Sequence, residues 1–240
     1  MGSNKIILGD CLSIMQSFPD NSIDLVVCDL PYGQTKNTWD SKIDLNRLWP
    51  IYDRIVKDNG AVILFGQGLF TANLIMSNKK NYRYSLVWEK TTPTGFLNAK
   101  KMPLRSHEDI VVFYKKLPTY NPQKTTGHPK KISLSHHKRN SKATTNYSAH
   151  GSISYESTER YPKSVLKFKT DKQKNALHPT QKPLSLIEYL ILTYSNPGYI
   201  ILDNCAGSGT TGLATKNTGR DFILIENDFD YYNTCINRVL

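Results

Sequence analysis

Three short stretches carry side chains that could do chemistry. The first runs from Ile23 through Asp24, Leu25, Val26, Val27 and Cys28 into Asp29-Leu30-Pro31-Tyr32-Gly33, an apolar strand pattern ending in a polar, aromatic turn stiffened by proline. Asp29 falls at the carboxyl end of that strand, the edge at which open α/β sheets bind ligands. Its carboxylate and the backbone carbonyl of Leu30 are two acceptors close together. Such a pair can hold both hydrogens of an exocyclic amine on a purine or pyrimidine, localising a lone pair that is otherwise drawn into the ring. The ring of Tyr32 offers a face on which a base taken out of its helix can stack. An aspartate before Leu-Pro can equally cap a turn and do nothing more.

The second stretch, Ile200 to Gly212, reads as a strand, a glycine turn and the opening of a helix. Gly207 and Gly209 lack a Cβ, so they permit a tight turn and leave amide donors facing a ligand at the helix N-terminus. Glu226 ends the next apolar run, placed to accept hydrogen bonds from a ribose diol. A nucleoside-type cofactor is implied. The run Gly207-Ser208-Gly209-Thr210-Thr211-Gly212 also matches the G-x-G-x-x-G of dinucleotide sites, a weak signal when alone. Asp203 argues against a dinucleotide, because its carboxylate suits the amino group of a cationic cofactor and repels a pyrophosphate. The third stretch is His178-Pro179-Thr180-Gln181-Lys182-Pro183.

Seven short strands must position these groups: Lys5 to Leu8, Ile23 to Cys28, Ala61 to Phe65, Tyr84 to Trp88, Ile110 to Tyr114, Tyr199 to Leu202 and Asp221 to Ile225. Most are apolar throughout, as strands covered on both faces are. Between them the helical period shows at Leu45, Leu48, Trp49 and Tyr52, at Ile187, Leu190, Ile191 and Tyr194, and at Tyr232, Cys235, Ile236 and Val239. Pro183 suits a first helical turn, whereas Pro50 predicts a kink or a later start. The alternation gives an α/β sheet with helices on its faces.

The chain has 240 residues and a formal charge of +11. That charge is concentrated between Lys115 and Leu177, where fourteen Lys and Arg face only Glu156, Glu159 and Asp171. The remainder is neutral. With tyrosines interleaved and no sustained periodicity, the segment reads as a polyanion-binding insertion, a nucleic-acid surface before a merely solvated loop. No apolar run approaches the ~20 residues of a membrane span, and a secretory signal is lacking, so a cytoplasmic protein is expected. Cys11, Cys28, Cys205 and Cys235 show no C-x-x-C pairing, and the histidines lack ligand spacing; neither disulfide nor metal is expected.

Taken in chain order, Asp29-Leu30-Pro31-Tyr32, the His178 to Pro183 element and the Gly207-Ser208-Gly209 turn resemble the β-group of S-adenosylmethionine-dependent DNA amino-methyltransferases. In that family an Asp-Pro-Pro-Tyr element comes first, then target recognition, then His-Pro-x-Gln-Lys-Pro and the cofactor turn. The likeness runs from Gly9 to the last helix. It implies a circularly permuted, seven-stranded Rossmann-like sheet with a basic insertion: a catalytic half over 4–114, a target-recognition region over 115–177 and a cofactor half over 178–240.

The same resemblance implies catalysis by Asp29, Leu30, Pro31 and Tyr32. It implies S-adenosylmethionine contacted by Asp10 at its adenine and Glu226 at its ribose, with Asp203, Cys205, Gly207, Ser208, Gly209, Thr210 and Thr211 at its methionine end. Thr180, Gln181, Lys182 and Asp29 would complete that pocket. The substrate implied is double-stranded DNA, bound through 115–177 by a monomer or homodimer in a bacterium or a bacterial virus, in a restriction–modification setting. Aspartate rather than serine at position 29 points to adenine N6, with cytosine N4 the alternative; methylation at cytosine C5 needs a cysteine nucleophile generally following a proline, and no Pro-Cys occurs. An RNA amino-methyltransferase and a non-catalytic DNA-binding protein remain open. Two positions depart from the family: Leu30 replaces its first proline, which leaves the backbone carbonyl in place, and Asn204-Cys205 replaces Pro-Phe, which removes an aromatic beside the cofactor.

Overall fold

The computed structural model describes residues 4–33, 43–133, 154–170 and 181–240. It divides into two units, Met1–Asn121 with Ser164–Leu240, and Pro122–Lys163. The first unit contains β1 (Lys5–Leu8), α1 (Cys11–Gln16), β2 (Ile23–Cys28), α2 (Leu45–Ile55), β3 (Val56–Gly66) and α3 (Leu69–Ser77). Next come β4 (Tyr82–Thr94), a 3-10 turn (Phe96–Asn98) and β5 (Arg105–Phe113). The second unit holds β6 (Lys131–Ser133) and β7 (Tyr155–Ser157). The chain then returns through β8 (Val165–Phe168), α4 (Leu184–Tyr194), β9 (Ile200–Asp203), α5 (Thr210–Asn217), β10 (Asp221–Glu226) and α6 (Phe229–Val239).

The sheet order is β1-β10-β9-β2-β3-β5-β4-β8. β1, β10, β9, β2 and β3 run parallel; β5 is antiparallel to both β3 and β4, and β8 is parallel to β4. Alternation along each central strand feeds two apolar layers. Ile23, Val26 and Cys28 of β2 face the α1, α2 and α3 side, whereas Leu25 and Val27 pack with Leu186, Ile187, Leu190 and Ile191 of α4. β3 and β5 divide in the same way, with Leu64 and Val111 to one side and Ile63 and Val112 to the other. A strand buried on both faces needs no polar face, which is why these runs are apolar throughout.

Among the described residues the sheet has eight strands rather than the seven expected from the sequence. The addition, β8, lies inside the basic segment, which shows no sustained periodicity in the sequence. Four residues between lysines give little periodic signal. Pairing with β4 orders them: Leu166, opposite Trp88, is buried, and Lys167 reaches Glu89 at 2.8 Å. Of the two outcomes that Pro50 predicts, the later start does not occur: α2 begins at Leu45, ahead of Pro50, capped by the Asp44 carboxylate on the Asn46 amide. Burial of Leu48, Trp49, Ile51, Tyr52 and Ile55 outweighs the hydrogen bond that the proline cannot donate. Pro183 stands one residue earlier than expected, at the N-cap of α4.

Asp24, 7% exposed, clamps the strands that matter most. Its carboxylate accepts from the Ile200 amide at 2.9 Å, joining β2 to β9, and pairs with Lys57 at 2.6 Å. In the second unit β6 and β7 pair antiparallel, and Thr125 bridges Arg160. Both glutamates of that unit are neutralised locally, Glu156 by Lys130 and Glu159 by Lys124. Residues 134–153 and 171–180 of the basic segment lie outside the described residues.

Candidate active site

Register brings the chemistry to one edge of the sheet. Leu8 pairs with Glu226, Leu224 with Asp203, Val26 with Leu202 and Cys28 with Leu64. The residues that follow these strands, Gly9 and Asp10, Asn227, Asn204 and Cys205, and Asp29, therefore emerge side by side. β5 runs the opposite way, so its start lies at this same edge and Glu108 sits across from Trp88. Between them opens a cavity of about 940 Å³. That is the upper end of the ~300–1,000 Å³ usual for small-molecule sites.

Asp29, Leu30, Pro31 and Tyr32 all line it. So do Asp10, Gln181, Lys182, Asp203, Cys205, Gly207, Ser208, Thr210, Thr211 and Glu226. Gly209 does not. It has φ +79°, and a Cβ there would meet Cys235 Sγ at 2.7 Å and Val239 Cγ2 at 2.8 Å, so this glycine seats the turn on α6. Gly207 supplies the other positive φ, +52°. Thr180 lies outside the described residues.

Both oxygens of the Asp29 carboxylate are engaged. Oδ1 accepts from the Tyr32 hydroxyl at 3.0 Å, and Oδ2 pairs with Lys182 Nζ at 2.5 Å. Lys182 Nζ also stands 3.2 Å from Glu108 Oε2, close enough for charge attraction though not aligned as a hydrogen bond. Glu108 Oε1 in turn pairs with Lys90 at 2.5 Å. The result is a neutral tetrad of two carboxylates and two ammonium groups, with Lys182 9% exposed. Burial pushes the Asp29 pKa above the usual carboxylate range, with Lys182 opposing and Glu108 reinforcing the rise. For Lys182, burial works against its charge, but Asp29 and Glu108 outweigh it and raise the pKa. Tyr32 stacks on Phe70 with ring centroids 4.5 Å apart, and the phenol pKa is raised by burial, so it remains a donor.

The other end of the cavity is built on β9 and β10. Asp203 accepts from the Cys205 amide through Oδ1 and from the Thr211 hydroxyl through Oδ2, at 3.1 and 2.6 Å. Burial pushes its pKa up to about 6, against those hydrogen bonds. Glu226 is spent on the backbone: Oε2 accepts from Gly207, and Oε1 from Asn227 and Asp228. Its pKa is nevertheless raised, because burial outweighs the three amides. Asp10 caps α1 by accepting from the amide and hydroxyl of Ser13, which hold its pKa below the usual range. The cavity thus has a buried anionic end at Asp203 and Glu226 and a charge-compensated end at Asp29. Residues fit for a cationic nucleoside cofactor lie at the first and acceptors for an amine at the second.

Residues 23–237 match the DNA methylase family. The chain belongs to that family. Among its relatives, the methylase is 29% identical to the Type II methyltransferase M1.MboII of Moraxella bovis, over 96% of this chain and 94% of the relative. Its fold is that of the M1.HpyAVI–SAM complex, at TM-score 0.68 and 24% identity over 98% of both chains. It is also that of the PvuII DNA methyltransferase, described as cytosine-N4-specific, at TM-score 0.72 and 16% identity over 100% of this chain and 87% of the other.

Several residues of the methylase's cavity escaped the sequence reading. Lys90 and Glu108 flank apolar runs as ordinary surface charges would, and only the antiparallel pairing of β4 and β5 brings them to Asp29. Asn204, a departure from the family pattern, accepts from the buried Tyr52 hydroxyl at 2.5 Å and ties the glycine turn to α2. Asn227, Asp228 and Tyr231 line the cavity beyond β10. They follow Glu226 at the entry to α6, which is the one signal that could have found them.

Proposed function

We propose that the chain transfers a methyl group from S-adenosylmethionine to the N6 amino group of an adenine flipped out of double-stranded DNA. The observation that carries this is the Asp29 carboxylate facing a cavity that also contains Asp203 and Glu226. S-adenosylmethionine, when bound, supplies an electrophilic methyl group on its sulfonium. Asp203 would hold the cofactor's amino group, and the Glu226 and Asp10 carboxylates would sit at its ribose and adenine. Gln181, Ser208, Thr210 and Thr211 would line its methionine end, next to Cys205 and Gly207.

Asp29 Oδ1 is the oxygen that would exchange the Tyr32 hydroxyl for one amine hydrogen, while the Leu30 carbonyl accepts the other. Lys182 keeps Oδ2 fixed throughout. Tyr32 lines the cavity with Phe70 behind it, which supports stacking of the flipped base on the face turned away from Phe70. Once methylated, the amine sheds a proton, and Asp29, with its raised pKa, is the acceptor in contact with it. Orientation and stabilisation of the charge growing on the amine supply most of the rate. Aspartate at position 29 supports adenine over cytosine.

The strand order, with β9 and β10 last in the chain and beside β1 and β2, supports a permuted methyltransferase sheet organised as halves 4–114 and 178–240. The excess of cations over 115–177 supports its assignment as the DNA-recognition region, and a protein acting in the cytoplasm as monomer or homodimer is part of the same reading. The experiment is methyl transfer from labelled cofactor to unmethylated duplex DNA by the native chain and by Asp29→Ala. Transfer by the first alone, with cofactor binding largely intact in the variant, is expected; transfer by both removes Asp29 from the mechanism.

A further inference from the structure

Between β4 and β5 the chain makes a short excursion at the rim of the cavity. Gly95, in the left-handed region at φ +91°, turns it into the 3-10 turn. The turn is ordered by its own backbone: Asn98 N donates to Gly95 O, Ala99 N to Phe96 O, and Lys101 N and Met102 N to Asn98 O. Yet Phe96 is 81% and Leu97 99% exposed, with Met102 at 54%. An apolar pair held out by an ordered turn costs solvation with no return inside this chain. Around it stand Lys100, Lys101 and Arg105, and no acidic residue occurs from Lys90 to His107. Thr92, Pro93, Thr94 and Arg105 on the two flanking strands line the cavity itself.

An exposed apolar tip ringed by cations, beside a pocket for a base, matches a partner that is apolar inside and anionic outside. A nucleic-acid duplex is such a partner, with stacked bases between two rows of phosphates. We propose that Phe96 and Leu97 form a wedge that enters the base stack at the place the flipped base leaves, with Lys100, Lys101 and Arg105 on the adjoining phosphates. This rests on the reading of the substrate as duplex DNA with a flipped base. The wedge opposes the return of the base to its stack and so lowers the cost of holding it in the cavity.

The test uses the full chain and a duplex carrying its site, located by sequencing the methylated positions of genomic DNA. One form of the duplex pairs the target normally. The other has an abasic position opposite it, where the base is already half released. The double variant Phe96→Ser with Leu97→Ser alters exposed side chains, and unchanged thermal unfolding would verify its fold. It is expected to lower kcat/KM about tenfold on the paired duplex and less than about twofold on the abasic one, where the target is already unpaired. Lys100→Gln with Lys101→Gln is expected to reduce the slope of log affinity against log salt by about two. Equal losses on both duplexes, or none on either, overturn the wedge. Binding of the native chain to anionic phospholipid vesicles that disappears in the double variant, with methylation unaffected, overturns it in favour of a lipid partner. No transfer by the native chain to any DNA would instead defeat the substrate reading itself.

Discussion

Replacing Asp203 with asparagine should make the methylase more stable and less able to bind its cofactor. The carboxylate is 5% exposed, and burial moves its pKa from 3.8 to about 6. A folded-state pKa above the unfolded one means that the native protein holds the proton longer. Below pH 3.8 both states carry it and the group costs nothing; as pH rises toward 6 the unfolded chain ionises first and stability falls; above 6 the loss is complete. At ~1.4 kcal/mol per pH unit, the buried charge destabilises the cofactor-free protein by about 3 kcal/mol at neutral pH. Asparagine keeps the shape. Its carbonyl still accepts from Cys205, and its amide donates to the Thr211 hydroxyl in place of accepting from it.

For a domain of this size 1 kcal/mol is worth ~2–4 °C, so Asp203→Asn should raise Tm by roughly 6–12 °C at pH 8. Thermal unfolding of both proteins across pH 4 to 8, without cofactor, is the assay. The gap should be small at pH 4, open between pH 4 and 6 and stay constant above. S-adenosylmethionine should then stabilise the native chain by mass action and the variant much less. A variant no more stable than the native chain at pH 8 would refute the idea that Asp203 is held as an uncompensated charge awaiting a cation.

Other perturbations bear on the Asp29 end of the cavity and on the packing beneath it. Asp29 faces Tyr32, Lys182, Glu108 and, across the cavity, Asp203; removing one charge at a time should move the acid limb of the kcat–pH profile in opposite directions. Lys182→Met, which takes away the opposing cation, should shift the limb to higher pH, whereas Glu108→Gln, which takes away a like charge, should shift it lower. A loss of kcat with an unmoved limb in both would show that the tetrad only holds the fold. Gly212→Ala puts a Cβ 2.5 Å from Leu224 Cδ1 and 3.0 Å from Val239 Cγ1, and denaturant unfolding should register about 1–3 kcal/mol of overpacking. Tyr52→Phe leaves the Asn204 carbonyl buried without its donor and should cost about 1–3 kcal/mol, read in the same way.

Much of the site was legible because its parts are local. Asp29 and Asp203 each end an apolar strand, and the edge at which parallel strands end is fixed by the fold class, so reading the strands was enough to bring the two together. The glycine turn is likewise local, although Gly209 proved to answer to α6 rather than to the cavity, since close packing between elements leaves no mark in a motif. Lys90 and Glu108 were out of reach because a reversed strand puts the beginning of one run beside the end of another. β8 was hidden for a related reason: four residues among lysines become a strand only through the edge of β4. The resemblance puts Lys182 in the cofactor pocket, and its ammonium lies on the Asp29 carboxylate.

The most direct test is the identity of the methylated base. Unmethylated genomic DNA is incubated with the protein and isotope-labelled S-adenosylmethionine, digested to nucleosides and resolved by mass spectrometry. The expected product is the label in N6-methyl-2′-deoxyadenosine. Label in N4-methyl-2′-deoxycytidine would keep the Asp29 and Leu30 acceptors and contradict adenine as the target, and no label, from protein shown to bind the cofactor, would contradict DNA as the substrate.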